Sequence, residues 1–259
     1  MSAALALTAQ DWGAGSPLLI LHGVFGSSRN WSGIAQRLAD LRRVSALDAR
    51  NHGASPWADT MSYVEMSDDV LAFCQGRELG AVDLVGHSMG GKTAMLFALR
   101  HAERVQRLVV VDVAPVVYRP VLATYAHAMR VADLNGVTRR ADVDRQLAPA
   151  VADAAERAFL LQNLVLDGGT AHWRLNLPVI ERAMPELSGF PKLPDMPHYA
   201  GPTLFIAGER SGYVRPEHRP AIMRFFPKAH VLRIREAGHW LHAERPDAFI
   251  ATLRPFLGA

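Results

Sequence analysis

Four stretches in the first half of the chain, 18–21, 44–47, 82–85 and 108–113, are almost wholly apolar and rich in Leu and Val. Uninterrupted runs of that length are what strands covered on both faces produce, so they predict a buried, mostly parallel sheet. Between them, 31–41 and 63–75 carry apolar residues at helical spacing. Strand and helix alternate, which predicts an α/β fold with helices on both faces of the central sheet. From Pro115 to His198 the strand signal vanishes. Val121, Leu122, Tyr125, Met129 and Ala132 share one helical face, closed by Gly136; Asp153, with Glu156 three positions on, caps a second helix that Gly168 and Gly169 close. A stretch with Pro185, Pro191, Pro194 and Pro197 leads back to strands at 203–207 and 230–234 and a last helix over 246–253. The expected organisation is a core of residues 1–114 and 199–259, with 115–198 inserted as a small all-helical cap over the C-terminal strand edge, where open sheets bind ligands.

The strongest chemical signal is Gly86-His87-Ser88-Met89-Gly90, between a predicted strand and a predicted helix. G-x-S-x-G in that setting is a nucleophile elbow: the glycines make room for a strained turn that lifts a serine above the sheet, with the helix N-terminus behind it. A second turn, His22-Gly23-Val24-Phe25-Gly26-Ser27, follows the first apolar run. Acyl transfer needs two backbone N–H groups aimed at an oxyanion, one after the nucleophile and one from such a loop, which assigns Met89 and Val24, with Phe25 the alternative in the loop. Of eleven histidines, His239 follows the final strand, where it reaches back over the sheet edge as the base; His242 is the nearest competitor. The acid usually follows the strand after the cap, but Ser211 stands there. Asp112 ends an otherwise apolar strand and needs a partner because an unpaired buried charge is costly. It is therefore the expected acid, with Glu209 the alternative. The loop of Asp48, Arg50, Asn51 and His52 is expected to hold the elbow through hydrogen bonds, and Phe25, Trp173 and Arg174 are the candidate substrate contacts.

With 259 residues, a formal charge of +3 and only 20% charged residues, the chain carries no basic run that would point to nucleic acid. The single Cys74 has no internal disulfide partner, and no apolar stretch approaches the roughly 20 residues of a membrane span. The opening segment lacks the basic and apolar regions of a secretion signal, so a cytoplasmic protein is expected.

Taken together, His22 to Ser27, Asp48 to Ser55, Gly86 to Lys92, Asp112 to Pro115 and Trp173 to Asn176 resemble the α/β-hydrolase superfamily over essentially the whole chain. More narrowly, they resemble small YbfF-like esterases and their abhydrolase-domain relatives. The resemblance implies a triad acid at Asp112 and cleavage of short-chain esters or acyl-CoA thioesters, without cofactor or metal, by a monomer or small homo-oligomer. The rivals are C–C bond cleavage on the same fold and a hydrolase-like ligand receptor. The basic residues of the cap are matched by equally many acidic ones, so its net charge names no anionic substrate.

Overall fold

The computed structural model describes residues 4–193 and 198–258; Pro194 and Pro197 lie outside them. The chain runs through β1 (Ala9–Trp12), β2 (Pro17–Leu21), α1 (Ser32–Gln36), β3 (Arg43–Leu47), α2 (Tyr63–Gly76), β4 (Val82–His87), α3 (Met89–Arg100) and β5 (Val105–Val111). Then come the inserted elements α4 (Leu122–Val131), α5 (Arg140–Leu147), α6 (Ala154–Leu161), β6 (Leu164–Asp167), β7 (Thr170–Trp173) and α7 (Leu177–Ser188). It closes with β8 (Thr203–Gly208), α8 (Arg219–Phe225), β9 (Ala229–Ile234), α9 (Leu241–Glu244) and α10 (Pro246–Leu257).

The main sheet has the order β1-β3-β2-β4-β5-β8-β9, parallel except for the edge strand β1, whose polar sequence hid it from the apolar pattern. Alternate residues divide between two cores. Leu19, Leu21, Leu84, Val110 and Phe205 pack against α2, α3 and α8, whereas Leu18, Ile20, Val85, Val109 and Ile206 pack against α1 and α10. This two-sided burial accounts for the unbroken apolar runs. Arg50 and Asp69 form a two-pronged ion pair at 2.7 and 2.8 Å beneath the 48–55 loop. Both are fully buried, and Arg50 also pairs with Glu65 at 3.3 Å, so removing Arg50 strands the Asp69 carboxylate, at a cost of about 3–5 kcal/mol.

A third core belongs to the inserted segment. Met129, Val143, Leu147, Leu160 and Ile180 pack together over Phe25, Met89 and Leu96 of the main body. The segment is not all-helical. Asp153 caps α6 as expected, accepting from the Ala155 and Glu156 N–H groups at 2.7 and 3.1 Å, but α6 ends at Leu161. Gly168 and Gly169 instead turn a β6–β7 hairpin, both with positive φ (53° and 92°), as a tight two-residue turn requires. Two further bounds shift: α4 stops at Val131, short of Gly136, and Pro185 lies inside α7. The helix expected over 31–41 shrinks to α1, preceded by a 3-10 turn. Among the described residues, no helix is long and apolar enough to cross a membrane.

Candidate active site

The chain leaves β4 at His87 and enters α3 at Met89, so Ser88 is the whole turn. Its φ of 52° and ψ of −116° lie outside the regions an L-residue ordinarily occupies, a strain of about 1–3 kcal/mol held by the surroundings. Those surroundings close in where glycine leaves space. A Cβ on Gly86 would sit 2.2 Å from the Gly90 carbonyl oxygen, and one on Gly90 would sit 2.4 Å from that of Leu21. The Ser88 N–H donates to the Val111 carbonyl at 3.0 Å, which ties the elbow to β5.

One residue past β5, Asp112 is fully buried with a φ of 50°, a left-handed conformation that Asp tolerates better than most residues. Its Oδ2 accepts from His239 Nδ1 at 2.7 Å and from the Ser211 hydroxyl, and its Oδ1 accepts from the Gly208 N–H at 3.0 Å. Three donors satisfy the buried carboxylate. Its bond to Nδ1 places the imidazole proton there and leaves Nε2 as the basic nitrogen. The His239 ring is further held by Tyr213, stacked at 4.2 Å, and by the His87 ring at 4.7 Å. His87 Nε2 also donates to the His239 carbonyl at 2.9 Å. Burial holds His87 well below its ordinary pKa, so it packs as a neutral ring. Glu209 is exposed and accepts from the Glu236 N–H at 2.9 Å, away from His239. His242 stacks on Trp31 at 4.1 Å, and burial pushes its pKa down to about 3.

The glycine loop after β2 is braced by two more neutral imidazoles. The Phe25 N–H donates to His52 Nε2 at 3.3 Å, and His52 Nδ1 donates to the Arg50 carbonyl at 2.9 Å. His22 mirrors this arrangement, accepting from the Ala49 N–H at 3.0 Å and donating to the Gly23 carbonyl at 2.8 Å. A ring nitrogen that accepts from an N–H must be unprotonated. Burial pushes His52 down to about 3 and lowers His22. Asp48 adds two ties, accepting from the Ser28 and Ala54 N–H groups at 2.6 and 2.8 Å. The 48–55 loop thus braces the 23–28 loop, not the elbow. Because the Phe25 amide is occupied, Val24 is the loop residue with a free N–H beside Ser88; among the described residues neither the Val24 nor the Met89 amide has an acceptor.

Ser88 and His239 open into a cavity of about 90 Å³, walled by Val24, Phe25, Leu122, Tyr125, Phe159 and Leu160. On the other side of Ser88 lies a recess of about 40 Å³ lined by Tyr63, Met89, Lys92, Met184 and Leu187. Lys92 closes that recess: its ammonium donates to the carbonyls of Val116, Ser188 and Gly189, so it joins both chain crossings between core and cap.

The sequence profile of the α/β-hydrolase fold matches residues 16–246. The chain belongs to the α/β-hydrolase family. An sn-1-specific diacylglycerol lipase, ABHD11 of Xenopus tropicalis, is 42% identical over 94% of this chain and 78% of its own length. The esterase YbfF of Escherichia coli strain K12 is 35% identical over 97% of both chains. Among solved structures, a marine microorganism esterase superposes with a TM-score of 0.93 at 36% identity, covering 98% of this chain and all of its own.

Two expected contacts of this α/β-hydrolase fall elsewhere. Trp173 is buried in the cap core, and Arg174 lines a separate depression on the other side of the 25–30 segment. The chain bends just past β7, and neither side chain lines the cavity at Ser88. The cap walls that cavity with α4 and α6. Two contacts around the α/β-hydrolase site have no sign in the sequence: Tyr213 against His239, and Asn163, whose Nδ2 donates to the Phe25 carbonyl at 2.8 Å; His87, part of the elbow motif, packs beneath His239. Capped Gly-rich loops carry no sequence mark for such a brace from the cap.

Proposed function

We propose that this chain is a carboxylic ester hydrolase that works through an acyl-enzyme on Ser88. Ser88 Oγ attacks the ester carbonyl while His239 Nε2 takes its proton. Asp112 holds the imidazole in the productive tautomer and offsets the charge of the imidazolium. The carbonyl oxygen, now an oxyanion, lies at the amides of Met89 and Val24, pre-aimed donors that need no reorganisation. His239 returns the proton to the departing alcohol, and water repeats the sequence on the acyl group. The observation that carries this reading is the 2.7 Å bond from His239 Nδ1 to a fully buried Asp112, with His239 and the strained Ser88 walling one cavity. The relatives named as lipase and esterase point the same way. The alcohol side is the arm that contains His239, and the smaller recess under Lys92 takes the acyl group, which favours short chains.

Replacing Ser88 by Ala is expected to cut kcat for a nitrophenyl butyrate by several orders of magnitude, on the scale of the roughly 10⁶ of another serine enzyme, while the protein stays folded by circular dichroism. A comparable rate from Ser88→Ala would overturn the assignment.

A further inference from the structure

The balance of charge in the cap is a sum over residues whose surroundings differ. Arg130 pairs with Glu181, Arg145 with Asp142 and Arg157 with Asp144. Arg174 pairs with nothing. Half-buried, its guanidinium has neither a hydrogen bond nor an ion pair among the described residues, and the same holds for the exposed Arg29 across from it. Both line a depression of about 150 Å³ between cap and core. Its only carboxylate, Asp48, has both oxygens taken up by the Ser28 and Ala54 N–H groups. Burial, then the positive charges of Arg29 and Arg140, lower the pKa of Arg174, with Asp48 opposing. Two guanidinium groups with unused N–H donors on one partly desolvated hollow form a site for a multi-oxygen anion, because guanidinium geometry matches phosphate and carboxylate edges and the two positive charges there face one carboxylate, Asp48, whose oxygens are already taken up.

The position of the hollow says where that anion belongs. Phe25 and Asn30 line both this depression and the His239 arm of the Ser88 cavity. Asn30 Nδ2 donates to Gln162 Oε1 at 2.7 Å, an exposed hydrogen bond that bridges core and cap between the two spaces beside the buried bond from Asn163 to the Phe25 carbonyl. A group leaving on the His239 side and extending past Asn30 reaches the arginines; one in the recess under Lys92 does not. Resting on the ester-hydrolase reading above, we propose that Arg29 and Arg174 form an anion subsite for a phosphate or carboxylate group borne by the alcohol portion of the substrate.

The test uses butyrate esters of straight-chain diols in graded lengths, each with its distal hydroxyl either free or phosphorylated, and reads the ratio of kcat/KM, phosphorylated over neutral. The wild-type ratio is expected to exceed one and to peak at one chain length. It should fall about tenfold in Arg174→Gln, further in the Arg29→Gln/Arg174→Gln pair, below one in Arg174→Glu, and toward one as salt rises. A ratio that stays put in the variants, or equal losses on both esters, overturns the subsite. A second arm measures the thermal midpoint of wild type and Arg174→Gln with inorganic phosphate alone. If phosphate stabilises only the wild type but the phosphorylated esters have no advantage at any length, the hollow takes a free anion and the assignment to the substrate is wrong. If no ester is turned over, the hydrolase reading fails and takes the leaving-group assignment with it, while the phosphate arm still reports on the arginines.

Discussion

Two regions meet at Ser88 and are held by different physics. On the core side, Phe25, Ser88 and Asp112 all have positive φ near 50–60°, and the polar groups that orient them are joined in bonds: Asp112 has three donors, and the Phe25 amide and carbonyl each have a partner. On the cap side, the cavity wall is Leu122, Phe159 and Leu160, held by an apolar cluster with Met129 and Leu147. Strained backbone locked by directional bonds fixes atoms to within tenths of an ångström, and a change there misplaces chemistry. Apolar packing fixes volume and tolerates substitution at lower cost. Core-side changes should therefore appear in kcat, and cap-side changes in KM.

The sharpest way to break this contrast is the acid. Asp112→Asn keeps the shape but is expected to stabilise the wrong imidazole tautomer and to lower kcat by about 10⁴, whereas Glu209→Gln should leave it within a few-fold of wild type. Steady-state kinetics on one nitrophenyl ester compares the two directly, and a steep loss in Glu209→Gln instead would move the acid there. A smaller effect belongs to the loop brace. His52→Leu removes the acceptor of the Phe25 N–H, and the expected result is a fall in kcat of about 10²-fold with KM little changed, because the Val24 donor acts on the oxyanion and not on the bound ester. His52→Gln offers a side-chain oxygen to the same N–H and should recover part of that loss; equal loss in both variants would mean the ring acts only by filling space.

How legible this was in the sequence depended on whether a feature is local. The elbow, the glycine loop and the strands of the main sheet announce themselves by runs and spacings within a few residues, and so does the Asp153 cap. That Asp112 has partners is readable because a buried carboxylate in an apolar run is costly alone, and His239 and the Ser211 hydroxyl both donate to it. Gly168-Gly169 is a turn signal that fits a helix end as well as a hairpin, because the residues before it carry a helical pattern. Edge strand β1 carries no apolar pattern because none of its residues is fully buried. The clasp of Tyr213 on His239, the brace of Asn163 on Phe25 and the side on which Arg174 faces join residues about 26, 138 and 145 positions apart or more, and no periodicity encodes such pairings.

The core side also predicts a pH response in stability. His22, His52, His87 and His242 are all buried with pKa values below the ordinary 6.5, His52 and His242 at about 3. The unfolded chain takes up these protons as pH falls through about 6.5, and the folded chain does not, so the stability these groups allow is present above 6.5 and is lost progressively toward pH 3. At pH 5 the cost is on the order of 2 kcal/mol for His52 or His242 alone. Urea midpoints should therefore drop between pH 7.5 and 5, and His242→Gln should drop less over that interval than wild type. An unchanged slope would mean the imidazole gains a proton inside the fold.

On the cap side the expected effect is the smallest and falls on a different constant. Phe159 stands on α6, walls the Ser88 cavity and meets Trp240 with ring centroids 5.5 Å apart. Truncating it to Ala widens the alcohol arm without touching any bond that orients Ser88, His239 or the glycine loop. A bulky alcohol loses one aromatic wall, worth roughly a tenfold rise in KM, the low end of what a single apolar contact in a pocket discriminates because this wall is only partly buried. Methyl butyrate does not reach the wall, so its kcat/KM should stay near wild type. Measuring both esters on Phe159→Ala separates the two regions: a KM effect confined to the bulky ester leaves the division intact. A fall in kcat for methyl butyrate would show that cap packing, through Asn163 on the Phe25 carbonyl, also sets the geometry of the donors beneath it.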